Sequence, residues 1–183
     1  NSLRLNGTGN NNSGAVWTQD RQAASDGFSS TFTFRVGESA QLPGSDFIRF
    51  VIQDVSEKAI QNKSFNDVDN GSVGLGTSYL TIELDTFKNQ PDPNNWHLDV
   101  YSADSSGLHS QYGVVSLLGS KDTLEHTLTV TYAEGELTVH FDGVEMLVVA
   151  CDLRTVLGNT DGKAWVGFIA ASGAFAETHD ILS

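Results

Sequence analysis

The segment Thr81-Ile82-Glu83-Leu84-Asp85-Thr86-Phe87-Lys88-Asn89-Gln90-Pro91-Asp92-Pro93-Asn94-Asn95-Trp96-His97 carries more information than any other part of the chain. Its first half alternates. Ile82 and Leu84 point one way, and Glu83, Asp85 and Phe87 the other, which is the period of a strand with one face in a core. Two carboxylates side by side on one strand face repel unless a cation sits between them. Asn89, Asp92 and His97 follow on a loop able to fold back over that face. Carboxylate, amide and backbone carbonyl oxygens are hard ligands suited to Ca²⁺. An imidazole together with three carboxylates suits Mn²⁺ or a similar transition ion.

Outward from this segment the same period recurs. Phe32, Phe34 and Val36 alternate with Thr31, Thr33 and Arg35; Leu128 and Val130 with Thr127, Thr129 and Thr131; Leu137, Val139 and Phe141 with Thr138 and His140. The last two runs are joined by Ala133-Glu134-Gly135-Glu136, a hairpin turn sequence. Further strands are predicted over 46–53, 97–103, 112–118, 144–150 and 164–171. Helix signals are confined to 54–61 and 151–157. Many short strands, 18 glycines and only 3 prolines, with no internal repeat and no linker-like stretch, predict an all-β sandwich or barrel in one domain over 1–183.

Composition narrows the function. The chain has 183 residues, 39% hydrophobic and 18% charged, long enough to bury a core without staples. No apolar run approaches the roughly 18 residues that span a membrane as a helix. With 10 Lys+Arg against 23 Asp+Glu the net charge is -13, which repels phosphate backbones and anionic lipid. Nucleic acid and membrane insertion are therefore not expected, whereas divalent cations are. The single cysteine, Cys151, excludes a disulfide framework within the chain and reads as a small buried hydrophobe. Sequons occur at Asn6, Asn11, Asn62 and Asn70.

The 81–97 segment resembles the metal loop of the L-type, legume-type lectins, the concanavalin-like family, and the resemblance implies an all-β sandwich of antiparallel sheets, a jelly roll. Their pattern is Glu-x-Asp with a following aromatic residue, an Asn, an Asp-Pro pair, and a His five residues after that Asp. Glu83, Asp85, Phe87, Asn89, Asp92-Pro93 and His97 stand at those places. The resemblance implies that Asp85, the Phe87 carbonyl, Asn89 and Asp92 hold Ca²⁺. It implies that Glu83, Asp85, Asp92 and His97 hold Mn²⁺ as a second ion. Asp26–Val36 is similar to an early strand of the family. Ser45–Ile52 is similar to the strand whose opening Asp, here Asp46, accepts hydrogen bonds from the sugar and follows a cis peptide bond, here Ser45-Asp46. Gly71–Gly76 is similar to the glycine-rich loop that approaches the sugar by its backbone. Val166–Gly173 and Glu177–Ser183 are similar to the last strands, with the specificity loop 172–177 between them.

By that resemblance, Asp46, Phe87, Asn89, Gly74, Gly173 and Ala174 bind carbohydrate. The partners would be glycans or glycoconjugates and the location secreted or at the cell surface, in an adhesive role and with no catalysis; a homo-oligomer is compatible with it. A sugar offers hydroxyls and an apolar face. A carboxylate, a side-chain amide and backbone N–H groups answer the first, and an aromatic ring answers the second. The sequence departs from the family pattern at Phe47, where Gly is usual, at Arg49, where a small residue is usual, and at Val73 in the glycine-rich loop. Trp96 is expected to cover the metal loop. Two other readings stand beside the lectin. One is an adhesion or structural module of the same fold that no longer binds sugar. The other is a jelly-roll glycoside hydrolase, which needs two carboxyl groups flanking the scissile bond and for which position 87 lacks the third acid of the strand series.

Overall fold

Alternating side chains can bury one face only if strands pair edge to edge and two sheets close over each other. The computed structural model, which describes residues 2–37, 44–61, 64–68 and 73–183, has that arrangement. In chain order the elements are β1 (Leu3–Arg4), β2 (Asn12–Trp17), β3 (Gln22–Ala23), β4 (Phe28–Val36), β5 (Phe47–Gln53), α1 (Phe65–Val68), β6 (Tyr79–Asp85) and β7 (His97–Ala103). They continue with β8 (His109–Ser116), β9 (Glu125–Ala133), β10 (Glu136–Phe141), β11 (Val144–Ala150), α2 (Leu153–Leu157), β12 (Lys163–Ser172) and β13 (His179–Ile181). One sheet runs β1-β13-β4-β9-β10-β11, and the other β2-β12-β5-β6-β7-β8 with β3 paired to β12. Every strand pairing is antiparallel.

The main core lies between the sheets. Phe32 and Phe34 of β4 and Val130 of β9 meet Phe50 of β5, Ile82 and Leu84 of β6 and Val100 of β7. The Phe32 and Phe50 rings stack at 5.5 Å. A second cluster forms on the opposite face of the second sheet, where Phe47, Val51, Tyr79, Ile169 and Ala171 are covered by Val68 and Val73. β5 is consequently buried along its whole length. That second cover also shuts polar side chains of β5 and β6 away from water, and this is what creates the site described below.

The 133–136 hairpin is as expected: Glu134 and Gly135 both have positive φ, 54° and 83°, the conformation a two-residue turn needs. Asp142-Gly143 makes a second such turn between β10 and β11, with φ of 49° and 78°. The helix expected over 151–157 is α2. Asp152 caps it by accepting from the Arg154 and Thr155 amides, and Gly158 ends it in the left-handed region. The helix expected over 54–61 does not form. Gln53 Oε1 accepts from the amides of Val55 and Ser56, and Ile60 has a φ of 59°, so the segment folds as successive turns. Cys151 is buried beside Tyr112, and burial pushes its thiol up. Asn6 is buried at 4% exposure, donates to the Glu177 carbonyl and accepts from His179 N, so that sequon is a structural asparagine. Asn62, Asn70, Gly71 and Ser72 lie outside the described residues.

Candidate functional site

β6 ends at Asp85, and the chain leaves the sheet there because Asp85 Oδ1 accepts a 2.7 Å hydrogen bond from Phe87 N. Phe87 therefore stands past the strand end rather than continuing its face. The turn beyond closes on itself: Asn89 N donates to Asp92 Oδ2 at 2.7 Å, and Asp92 N donates to the Asn89 carbonyl at 3.0 Å. The Gln90-Pro91 peptide is cis. β7 returns beside β6 with His97 opposite Asp85. The loop is thus folded back over the strand end, and Asp85, Asp92 and His97 each bring a ligand atom within 4.8 Å of the others.

His97 is oriented for that place. Its Nδ1 lies 2.9 Å from the Asn94 carbonyl, which leaves Nε2 directed at Asp85 Oδ2 and Asp92 Oδ1, 3.9 Å from each. An imidazole whose far nitrogen is held by a carbonyl is fixed in tautomer and angle for coordination. Burial, and then the neighbouring Glu83 charge, push the Asp85 carboxyl up to about 9, while the hydrogen bond from Phe87 works the other way. A carboxyl raised in this way gains from a cation placed against it. Asp85, Asp92, the Phe87 carbonyl and the exposed Asn89 fit a hard divalent cation by donor chemistry.

Glu83 does not join this group. It faces Arg49 across the β5–β6 ladder. Arg49 Nε donates to Glu83 Oε2 at 2.9 Å and Nη2 to Oε1 at 3.1 Å. Tyr101 OH donates to Oε2 at 2.5 Å. Glu83 and Arg49 are 6% and 4% exposed, so this is a buried ion pair. The expectation that Glu83 serves a second ion is thus at odds with its observed partners. The residue responsible is Arg49, one of the departures from the family pattern.

Asp46 sits between the 85–92 loop and the 172–177 loop. Its carbonyl accepts from Thr86 N at 2.7 Å and Thr86 Oγ1 at 2.9 Å, and its amide donates to the Ala171 carbonyl at 3.0 Å. The Ser45-Asp46 peptide is cis, as the family pattern implies. Gly173 lies directly against the Asp46 carboxylate: a Cβ there would overlap Oδ2 and stand 2.8 Å from the Phe65 ring. Ser45 ties down the 172–177 loop, its amide and hydroxyl both donating to the Phe175 carbonyl, at 3.0 and 2.9 Å. Asn11 N donates to the Gly173 carbonyl and Asn10 Nδ2 to that of Ala174, which is itself exposed. Phe175 stacks on Phe87 with ring centroids 5.9 Å apart. Asp46, Phe87, Gly173 and Ala174 are thereby brought into one neighbourhood, with Asn89 on the adjoining loop.

Gly74 packs against Ile60 and the Asp67–Val68 end of α1, the short helix whose Phe65 lies against Gly173. Val73 takes a positive φ of 56° and is fully buried in the second cluster. Phe47 does not reach the site surface either; it is 1% exposed, with the Arg49 guanidinium 3.4 Å above its ring. Trp96 packs into the main core against His126 and Phe141, at 5.6 and 6.0 Å, rather than covering the metal loop.

The neighbourhood also includes residues the sequence reading did not single out. Phe65 and Phe175 are two of them. Lys121 is a third: it donates to buried Glu177 at 2.5 Å and reaches the Thr86 carbonyl at 3.4 Å. Burial would raise the Glu177 carboxyl, but His179 and Lys121 outweigh it and hold the group below its ordinary value. A shallow depression of about 410 Å³ beside the metal loop is lined by Phe87, Lys88, Asn94 and Asn95. A separate cavity of about 740 Å³ between β2 and residues 57–61 contains none of the site residues.

Known proteins bear on this arrangement. A seed lectin of Styphnolobium japonicum is 30% identical over 177 residues, covering 85% of this chain and 55% of its own length. Lectin 11 of Medicago truncatula is 29% identical over 181 residues, covering 85% and 58%. The chain spans about half the length of the curated relatives it matches. Among solved structures, lectin UEA-II complexed with galactose superposes with a TM-score of 0.78 at 19% identity, over 99% of this chain and 84% of that one. The exoplasmic/lumenal domain of VIP36 in its Ca²⁺/Man-bound form superposes at 0.69 and 16% identity, over 98% and 75%. These superpositions establish the β-sandwich fold. The legume lectin domain model matches residues 10–183, and the chain belongs to that family.

Proposed function

We propose that the protein is a calcium-dependent, carbohydrate-binding lectin with no catalytic role, formed by one domain over 1–183. The observation that carries this reading is the position of Asp46, hydrogen-bonded through Thr86 to the metal loop and pressed against Gly173 of the specificity loop. Asp46 accepts sugar hydroxyls, Asn89 and backbone N–H groups at Gly173 and Ala174 donate to them, and Phe87 with Phe175 offers the apolar wall. Gly74, packed against the end of α1, is not needed for these contacts. Asp85, the Phe87 carbonyl, Asn89 and Asp92 hold the ion, with His97 Nε2 directed at the two aspartates. When bound, the ion supplies rigidity: it fixes Asn89 and the Phe87 backbone, so that less ordering is needed when sugar arrives.

Several things support the non-enzymatic reading. The matched relatives are lectins, and Glu83 is tied to Arg49 and Tyr101 instead of facing an open cleft. The galactose and Ca²⁺/Man complexes of its structural neighbours suggest a hexose as the ligand class. A seed lectin and a lumenal domain among its matches favour a secreted, lumenal or cell-surface location. No helix among the described residues is long and apolar enough to cross a membrane. The test is a glycan array probed in Ca²⁺ with wild-type protein and Asp46→Asn. Binding lost in the variant, with metal content unchanged, is the expected result; equal binding by both would refute the role of Asp46.

A further inference from the structure

The family's second ion needs Glu83, and in this chain Glu83 has other partners. Both of its carboxylate oxygens receive hydrogen bonds from Arg49, and Oε2 takes another from Tyr101. Arg49 is held from its remaining sides as well. Nη1 donates to the Val68 carbonyl at 2.5 Å, and the guanidinium plane rests on the Phe47 ring. Asp99 stands opposite Glu83 on the other neighbouring strand, so the sheet face carries Glu83, Asp85 and Asp99 beside the Arg49 guanidinium. A guanidinium is always charged, is planar, and matches a carboxylate with two parallel hydrogen bonds. A divalent cation at the Glu83 side would have to approach that buried positive charge through a carboxylate that already accepts from Arg49 at both oxygens and from Tyr101 at one.

We infer that the Arg49 guanidinium replaces the second metal ion, making this a lectin that binds one divalent ion per chain, at Asp85, Asn89, Asp92 and the Phe87 carbonyl. The inference rests on the metal reading of the loop given above. It gives Phe47 and Arg49 one explanation: the aromatic ring at 47 is the platform on which the replacing cation lies. It also predicts how the metal leaves. Chelation removes a single ion in one step, and the Glu83 end of the site keeps its positive charge throughout, because that charge is covalently part of β5.

The experiment is metal counting on the full chain, stripped with EDTA, reloaded in excess Ca²⁺ and Mn²⁺ together, desalted, and measured by inductively coupled plasma mass spectrometry. Wild type should hold one divalent ion per chain in total. Arg49→Met frees Glu83 and should raise the total toward two. Because that variant leaves a buried carboxylate unpaired and can fail to fold, the double variant Arg49→Met/Glu83→Gln, which removes both charges, is measured beside it and should hold one ion as wild type does. Two ions in wild type would overturn the replacement while leaving the metal loop intact. No ion in wild type would overturn both. A double variant that loses its ion would place the Arg49–Glu83 pair in the metal site and overturn the replacement.

Discussion

A single methyl group at position 173 should separate sugar binding from metal binding. Gly173 is buried, and its φ lies outside the left-handed region, so alanine is allowed by the backbone. Its Cβ would overlap Asp46 Oδ2, lie 3.3 Å from Asp46 Cγ and 2.8 Å from the Phe65 ring. The ring is the far end of a side chain and can yield. The carboxylate must retreat by about 1 Å to recover ordinary contact, which takes a hydroxyl bonded to it out of hydrogen-bond range. A hydrogen bond to a charged acceptor is worth about 1.5–3 kcal/mol, so losing one weakens affinity roughly 10- to 150-fold. Overpacking costs about 1–3 kcal/mol of stability, so the assay is isothermal titration calorimetry well below the melting point, with calcium content measured on the same sample. The reasoning is refuted if Gly173→Ala binds glycan with wild-type affinity, or if it loses calcium.

Three further outcomes follow from the same geometry. Chelation should lower the melting temperature: at a free ion concentration 100 times Kd, binding stabilises the folded state by about 2.7 kcal/mol, roughly 5–10 °C for a chain of this size, read by differential scanning calorimetry. Asp85→Asn should abolish both that shift and sugar binding, since in the proposed site Asp85 holds the ion, and it anchors the Phe87 amide; a variant with normal calcium content would contradict that role. Asp180, hydrogen-bonded to Arg4 and close to Arg35, has its carboxyl held below the ordinary range. Its contribution is present above about pH 4 and is lost as pH falls through the depressed value, so Asp180→Asn should flatten the acid limb of a stability–pH curve and lower the plateau above it.

The parts of the site that could be read in the sequence are local. Asp85, Phe87, Asn89, Asp92 and His97 lie within one strand end, one turn and the start of the next strand, so spacing alone places them together. The Ser45–Ile52 strand was similarly recognisable because its opening residues and alternation are contiguous. The partners of Glu83 are not legible, for the opposite reason. Its partner Arg49 is 34 positions away, and only the β5–β6 register, set by which faces are buried, puts the two opposite each other. Phe175 against Phe87 and Phe65 against Gly173 are likewise products of loop closure between distant segments. Segment 54–61 shows a local competition going the other way: the Gln53 side chain captures amides that a helix would use. Asp142-Gly143 is a local Asp-Gly turn between β10 and β11 that the sequence reading did not single out.

In the proposed function, calcium at the 85–92 loop prepares Asp46 and its neighbours to bind a glycan. The most direct measurement is a titration of wild-type protein with galactose- and mannose-terminated glycans, followed by calorimetry in Ca²⁺, repeated after EDTA, and repeated again after calcium is restored. Saturable binding in Ca²⁺ that disappears with EDTA and returns with calcium is the predicted result. Binding that is equally strong in EDTA, or no binding of any glycan class in Ca²⁺ by protein shown to contain the ion, would contradict it.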